Sequence, residues 1–484
     1  MTKPTSAVRP PAEMLDRQPP VRIEPGARAR IRAAHATTGR RIAVLDDDPT
    51  GSQTVHDVAV VTVLESEELA AGLAAPGSTC FILTNTRSLP EDQAVRRNTS
   101  VGRALLQLGA ELDAPIQLVS RSDSTLRGHF IAEVHALDAI RREVTGRGHD
   151  GVLLVPAYLE AGRVTAGDVH WARLGGQLVP VGDTEFAQDA TFGYRSSNLR
   201  DFVAEKSGGT IRAADVHSIG LDDIRLGGPT RVADILTGVS QGAFVVVNAV
   251  DYADLEVVVL GLLEAEALER SFLCRTGPSF ARALAGLEPK SPLTAAEIWA
   301  TGPPARHGLV VVGSHVGLSS RQLQVARSRG GLTEVELDVA TLLDPARRDV
   351  HVAQVTDGVV AALADAEVLL YSSRKLVRGA DAAGSLEIAR TVSSALVDVV
   401  RGARTAKPAW VVAKGGITSH DVAVHGLGIR RAEVVGQLLP GQVSVFRPVQ
   451  APAEVVGVPY VVFAGNVGDD TTLAYVIDLL RGPA

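Results

Sequence analysis

Arg41-Ile-Ala-Val-Leu-Asp-Asp-Asp-Pro-Thr-Gly-Ser52 is the stretch that decides how this chain folds. The apolar run 42–45 has the length and composition of a buried strand. It ends in three consecutive carboxylates, Asp46, Asp47 and Asp48, followed at once by Pro49, Thr50 and Gly51. Open α/β sheets bind ligands just beyond the carboxyl ends of their strands. Adjacent acids at such a place repel one another and need a cation, a basic side chain or a polyol nearby. Asp, Pro and Gly also build ordinary solvated turns, so the loop is weighed with the rest of the chain.

Working outward, apolar runs alternate with helical patterns from residue 41 to about 155. Strands are expected at 41–45, 58–64, 79–84, 116–119 and 151–155, with helices at 91–112 and 129–144. Residues 156–240 are less regular and rich in Gly, Arg and Asp. Strands resume at 243–248 and 271–275 around a helix at 252–268. Residues 287–307 hold Pro289, Pro292, Gly302, Pro303 and Pro304, a composition that suits a linker. A second series follows, with strands at 308–313, 333–337, 367–371, 409–414 and 459–464. Its helices are expected at 317–329, 347–365, 384–402 and 418–427. The expected fold class is α/β, with two domains, each a mainly parallel sheet flanked by helices. The expected division is a loosely docked or disordered arm at 1–35, a first domain at 36–286, the linker at 287–307 and a second domain at 308–484. An inter-domain cleft is the expected place for a small-molecule site.

Composition narrows the function. The chain has 484 residues, 45% hydrophobic and 21% charged, with a net charge of -7 and no basic block. That argues against a nucleic-acid partner held through its phosphates. The few lysines are Lys3, Lys206, Lys290, Lys375, Lys407 and Lys414, so most positive charge is Arg, suited to bidentate contacts with carboxylate or phosphate. Cys80 and Cys274 sit in apolar runs without metal-ligand spacing, which fits buried thiols in a reducing compartment. No apolar stretch reaches spanning length, and residues 1–35 lack the apolar segment of a signal peptide. A cytoplasmic protein without a membrane partner is expected. The histidines have no paired spacing for zinc, and no metal ligands are assigned.

Ser120-Arg121-Ser122-Asp123-Ser124-Thr125-Leu126-Arg127-Gly128-His129 lies between a strand and a helix. A solvated loop would carry such residues; so would a cage for a small polyhydroxy acid, with Arg on the carboxylate and Asp and Ser on the hydroxyls. Asn85-Thr86-Arg87-Ser88 follows another strand of the same series, and Arg163 lies in the irregular region. The second series has different loops: Gly313-Ser314, Ser372 after Tyr371, Gly415-Gly416-Ile417-Thr418 and Gly465-Asn466-Val467-Gly468. Glycines let backbone approach phosphates, and N–H groups at helix starts favour anions. The same residues also serve as ordinary turns and caps. None fits the Walker pattern, because Lys414 precedes its glycines.

Taken together, these motifs resemble the four-carbon acid sugar kinases. Asp47-Asp48-Pro49-Thr50-Gly51 matches the family's first motif, and Arg121-Ser122-Asp123-Ser124-Thr125-Leu126-Arg127-Gly128 its central one. Asn85 to Ser88, Pro156 to Thr165, Thr184 to Asp189, Gly415-Gly416, Pro440-Gly441 and Gly465 to Gly468 match further segments. The chain departs from the family pattern at Pro49, at Ile417, which replaces a Glu, and at Phe463-Ala464, which lack the family's Lys and Ser. The resemblance implies ATP-dependent phosphorylation of the terminal hydroxyl of a threonate, an erythronate or a 3-oxo-tetronate, with ATP and Mg2+ as cofactors. It implies base and substrate or magnesium contact at Asp47 and Asp48, without saying which does which. Asn85, Arg87, Arg121, Asp123, Ser124, Arg127 and Arg163 would hold the sugar acid. Gly313, Ser314, Ser372, Gly415, Gly416, Thr418, Gly465, Asn466 and Gly468 would hold the nucleotide. Alternatives are a kinase of another small hydroxy acid or hydroxy amino acid, or a non-catalytic sensor on the same scaffold. A homodimer is a candidate assembly.

Overall fold

The structure is a computed structural model that describes residues 15, 17–48, 50–299, 304, 306–313, 317–374, 377, 382–465 and 467–482. It divides into two compact units, Met1–Gly51 with Leu69–Glu288, and Ser52–Glu68 with Pro289–Ala484.

In the first unit seven strands pair in parallel. Their order is Thr79–Leu83, Arg41–Asp46, Ile116–Arg121, Phe272–Thr276, Gly151–Val155, Ala243–Val247 and His217–Ile219. Arg41–Asp46, Ile116–Arg121 and Phe272–Thr276 are buried along their whole length, as strands covered by helices on both faces must be. Helices Glu91–Glu111 and Phe130–Thr145 return the chain between strands. Register places Asp46 opposite Leu83 and Arg121, and Arg121 opposite Thr276. The polar groups at these strand ends therefore share one edge.

The irregular stretch 156–240 is more ordered than its composition suggests. Arg163–Ala166, Val169–Leu174 and Gln177–Pro180 form a three-stranded antiparallel sheet. Gly167-Asp168 and Gly175-Gly176 make its two turns, all four residues at positive φ. Gly-Asp and Gly-Gly between short runs are hairpin signals, hidden here because the strands mix Arg, Thr, His and Gln with their apolar residues. Of the arm expected at 1–35, residues 1–14 and 16 lie outside the described residues, and its last part is docked rather than loose. Ala27–Thr38 is a helix with Ile31 and His35 buried. His35 Nε2 lies 2.8 Å from the Leu284 carbonyl, and Arg28 Nε donates to Glu256 at 2.7 Å. A single Ile gives too narrow a stripe to announce such a helix, and its docking relies on polar anchors.

The second unit holds five parallel strands, in the order Leu332–Leu337, Glu367–Ser372, Leu309–Val312, Val411–Lys414 and Tyr460–Phe463. Three antiparallel strands extend the sheet: Gln442–Gln450, Arg431–Leu439 and Val58–Val61. The 431–450 hairpin was not expected. Its turn is Pro440-Gly441 with Gly441 at φ 62°, the Pro-Gly order of a type II turn.

The strand read at 58–64 exists over Val58–Val61, but it belongs to the second unit. Its register runs Val61 to Arg431 and Val58 to Val434. Thr62 Oγ1 donates to the Ile429 carbonyl at 2.5 Å, and Glu68 receives Arg430 at 3.0 Å and Arg431 at 2.9 Å. Apolar alternation marks a strand but carries no address for its unit, and this segment falls in the second unit although the expected first domain, 36–286, included it. The expected helix at 418–427 is Gly416–Asp421 continued by a π turn, Val422–Gly426. Within the expected linker, Ala295–Ile298 is a short helix with a Thr294–Glu297 capping box.

Candidate functional site

The three acids at the end of Arg41–Asp46 play three parts. Asp46 is fully buried and accepts Arg121 Nη1 at 2.9 Å. Gly51 folds back over it so closely that a Cβ at 51 would overlap the Asp46 carboxylate. Burial pushes Asp46 up to about 7; Arg121 opposes this, while Asp47 and Asp48 add to it. A Gly51→Ala variant is expected to lose about 1–3 kcal/mol through overpacking, read as a lower urea midpoint.

Asp47 is 2% exposed. Its Oδ2 accepts Ser122 Oγ at 2.6 Å, and its Oδ1 has no hydrogen-bond partner. Burial raises its carboxyl above the usual range, against the pull of Arg87. Asp48 is half-buried and committed. Arg87 Nη2 contacts its Oδ2, and Thr50 donates to its Oδ1 through N (2.8 Å) and Oγ1 (2.5 Å). Burial works against charge on Asp48, yet Arg87 and Thr50 outweigh it and hold the carboxyl low.

The central motif closes round these acids. Arg87 reaches Asp47 at 3.6 Å and Asp123 at 3.5 Å. Asp123 also receives Arg127 Nε at 2.7 Å and the Thr125 hydroxyl. Burial opposes its charge, but Arg87 and Arg127 hold it well below the usual carboxylate range. Gly128 sits at φ 128°, where a Cβ would lie 2.9 Å from both Asp47 Oδ2 and Ser122 Oγ. Only glycine lets the chain pass there. Asn85, at φ 49°, donates its backbone N–H to the Asp46 carbonyl at 3.2 Å. The Ser124 side chain is buried, and its carbonyl meets His170 Nε2 at 2.7 Å. Arg163 and Arg127 both lie over the Phe186 ring, at 5.7 and 5.3 Å. Thus Asp47, Asp48, Arg87, Asp123 and Arg127 form one cluster. Arg121 is committed to Asp46, whereas Arg127 is more exposed, with 29% of its side chain accessible.

Three residues that the motifs did not flag support this cluster. Arg275, at the end of Phe272–Thr276, donates to Ser120 (2.7 Å), Ser122 (2.8 Å) and Glu133 (2.5 Å). Glu133 is buried and also accepts from Thr86 (2.5 Å) and Asn98 (3.1 Å). A charged residue inside an otherwise apolar strand was the available signal. Tyr194, from the irregular stretch, donates to the Thr125 carbonyl at 2.6 Å.

In the second unit, register aligns Val312 with Tyr371 and Lys414, and Lys414 with Phe463. Gly313, Ser372, Gly415 and Gly465 therefore lie along one edge, beyond or at the strand ends. A Cβ at Gly313 would sit 2.5 Å from Thr418 Oγ1, so the first and third loops touch. Gly416 opens the helix that holds Thr418. Gly468 is at φ 80°. Ser314 and Asn466 lie outside the described residues. Among the described residues no group of three or more His, Cys, Asp or Glu could hold a metal ion. No described helix is long and apolar enough to cross a membrane.

Residues 42–284 match the model of a sugar-binding N-terminal domain, and residues 309–473 that of a nucleotide-binding C-terminal domain. The chain belongs to the four-carbon acid sugar kinase family. Among relatives of this kinase family, D-threonate kinase of Salmonella typhimurium is 27% identical over 90% of this chain and 96% of its own. 3-Oxo-tetronate kinase of Methylobacterium radiotolerans is 27% identical over 90% and 98%. D-Erythronate kinase of Heliobacterium modesticaldum matches at 27% over 60% of this chain and 59% of its own. The family's fold is seen again in a solved Salmonella typhimurium LT2 structure, with TM-score 0.66 and 17% identity, over 92% of this chain and 100% of that one.

Proposed function

We propose that this kinase transfers the γ-phosphoryl group of ATP to the terminal, 4-hydroxyl of a four-carbon sugar acid of the threonate, erythronate or 3-oxo-tetronate class. The observation that carries the reading is Asp47. It is a buried carboxylate with one oxygen fixed by Ser122 and the other without a hydrogen bond, at the carboxyl edge of a parallel sheet among Arg side chains. A base must hold one lone pair ready for the substrate proton. Asp48 is tied at both oxygens, which favours Asp47 as base and leaves Asp48 to orient Arg87.

In this reading the substrate hydroxyl gives its proton to Asp47 Oδ1 as its oxygen bonds to the γ-phosphorus, and the bond to ADP breaks. The products are ADP, the phosphorylated acid and one proton. Such transfer is mostly positioning and charge neutralisation. Arg87 and Arg127 supply positive charge around the acid. The loops at Gly313, Ser372, Gly415, Gly416, Thr418, Gly465 and Gly468 would hold the nucleotide on the second unit. Magnesium would arrive on the phosphates and neutralise their charge; it commonly needs only one or two protein carboxylates.

The substrate carboxylate is assigned to Arg127. Arg127→Ala is expected to cost about 1.5–3 kcal/mol, the worth of a charge-assisted hydrogen bond, in kcat/KM for the acid, with little change for ATP. Coupled ADP-release kinetics check this. The kinase reading is tested by screening stereoisomeric four-carbon acids, hydroxy acids and hydroxy amino acids for ADP release. Turnover only with an amino acid, or with none, would replace it.

A further inference from the structure

Lys414 ends the strand Val411–Lys414 and is fully buried. Its ammonium donates to the carbonyls of Ala464 at 2.9 Å and Gly465 at 3.4 Å, and lies 3.7 Å from the Phe463 ring centroid. An ammonium has three hydrogens to give. Among the described residues no carboxylate forms a salt bridge with it, and burial alone draws the amine down to about 7. A buried cation without a counter-ion is costly to keep. An anion arriving at this edge would remove that cost.

The neighbouring carbonyls show where an anion would sit. Ser319 Oγ donates to the Gly465 carbonyl at 2.9 Å. Gln322 Nε2 donates to those of Val467 (3.0 Å) and Asp469 (2.7 Å). Both side chains come from the helix Gly317–Ser328. In a trans peptide the C=O and the following N–H point in opposite directions. Drawing the carbonyls of 464, 465, 467 and 469 onto Lys414, Ser319 and Gln322 turns the N–H groups of Gly465, Gly468 and Asp470 away from those side chains. Backbone N–H groups freed in this way can donate to an anion. Phe463 stands where the resembled motif carries a lysine, and Lys414 brings an amine to the same row from the adjacent strand.

We infer that Lys414 is the positioning residue of the nucleotide-phosphate cradle: it holds the 464–465 carbonyls inward and places a positive charge beside the N–H groups of Gly465, Gly468 and Asp470. The inference rests on the kinase reading and adds to it the residue and the charge. The test is Lys414→Met in the full chain, with ADP affinity measured by calorimetry and KM measured separately for ATP and the sugar acid. The expected result is at least tenfold weaker ADP binding and a similarly raised ATP KM. The acid KM should stay within twofold, and the melting temperature should not fall. Unchanged ADP affinity in the folded variant would overturn it. So would equal damage to both KM values with a lowered melting temperature, the mark of a merely structural lysine. Lys414→Gln takes the same measurements if the Met variant does not fold. Wild-type protein that binds no ADP or ATP would overturn the kinase reading itself; wild-type binding matched by the variant overturns only the role of Lys414.

Discussion

Asp47→Asn is expected to lower kcat for the sugar acid by about 10²–10⁴-fold, the usual worth of a positioned general base. The amide can still accept from Ser122 through its oxygen, so the loop keeps its shape while the reactive lone pair is lost. Stability should not suffer. The raised carboxyl means that the folded state holds its proton to higher pH than the unfolded chain does. Stability from the protonated form is present below the unfolded value and is lost as pH rises through the folded one. Once pH exceeds the folded-state value the wild type carries a buried charge that the variant lacks, and there the variant should melt at the same temperature or above. The activity profile follows the same sign. Wild-type kcat should rise with pH along an acid limb that lies above the ordinary carboxylate range, and the residual rate of Asp47→Asn should lack that limb. A variant with wild-type turnover would remove Asp47 from catalysis.

Arg275→Met is expected to destabilise the first unit by about 3–5 kcal/mol, because it leaves the buried Glu133 without its cation. Ser120 and Ser122 lose a donor in the same step, so the hydroxyl that fixes Asp47 becomes free to turn. Turnover should fall along with stability. Adding Glu133→Gln removes the stranded charge. The double variant should regain much of the stability in urea unfolding but not the activity, since Ser122 still lacks its donor. Recovery of both would mean that Arg275 serves the core alone.

The sheets were legible where the middle of a strand is an unbroken apolar run, as at 42–45 and 411–413, because only a two-sided buried strand reads that way. What escaped was information that sequence distance hides. Val58–Val61 reads as a strand, but its partner is Arg431–Val434. The loops at Asp46–Gly51 and Ser120–Gly128 announced themselves through dense polar groups at strand ends, and the fold brings them together. The pairings within them were not legible. Arg121 was expected, like Arg127, as a holder of the sugar acid, and its pairing with the buried Asp46 could not be read from the motif. Asp46 itself carried no motif role, although it sets the need for glycine at 51. Arg275 and Glu133 lie far from the motifs in sequence and meet only once the parallel strands are assembled.

The exchange of residues 52–68 has a consequence for heredity and for the bench. A gene fragment that encodes only residues 289–484 lacks Val58–Val61. It would leave Arg431–Leu439 as a bare sheet margin with unpaired N–H and C=O groups, which templates aggregation. The two halves are thus stitched rather than strung. Shuffling a nucleotide module from this kinase into another protein would have to carry a short passage of the opposite half with it.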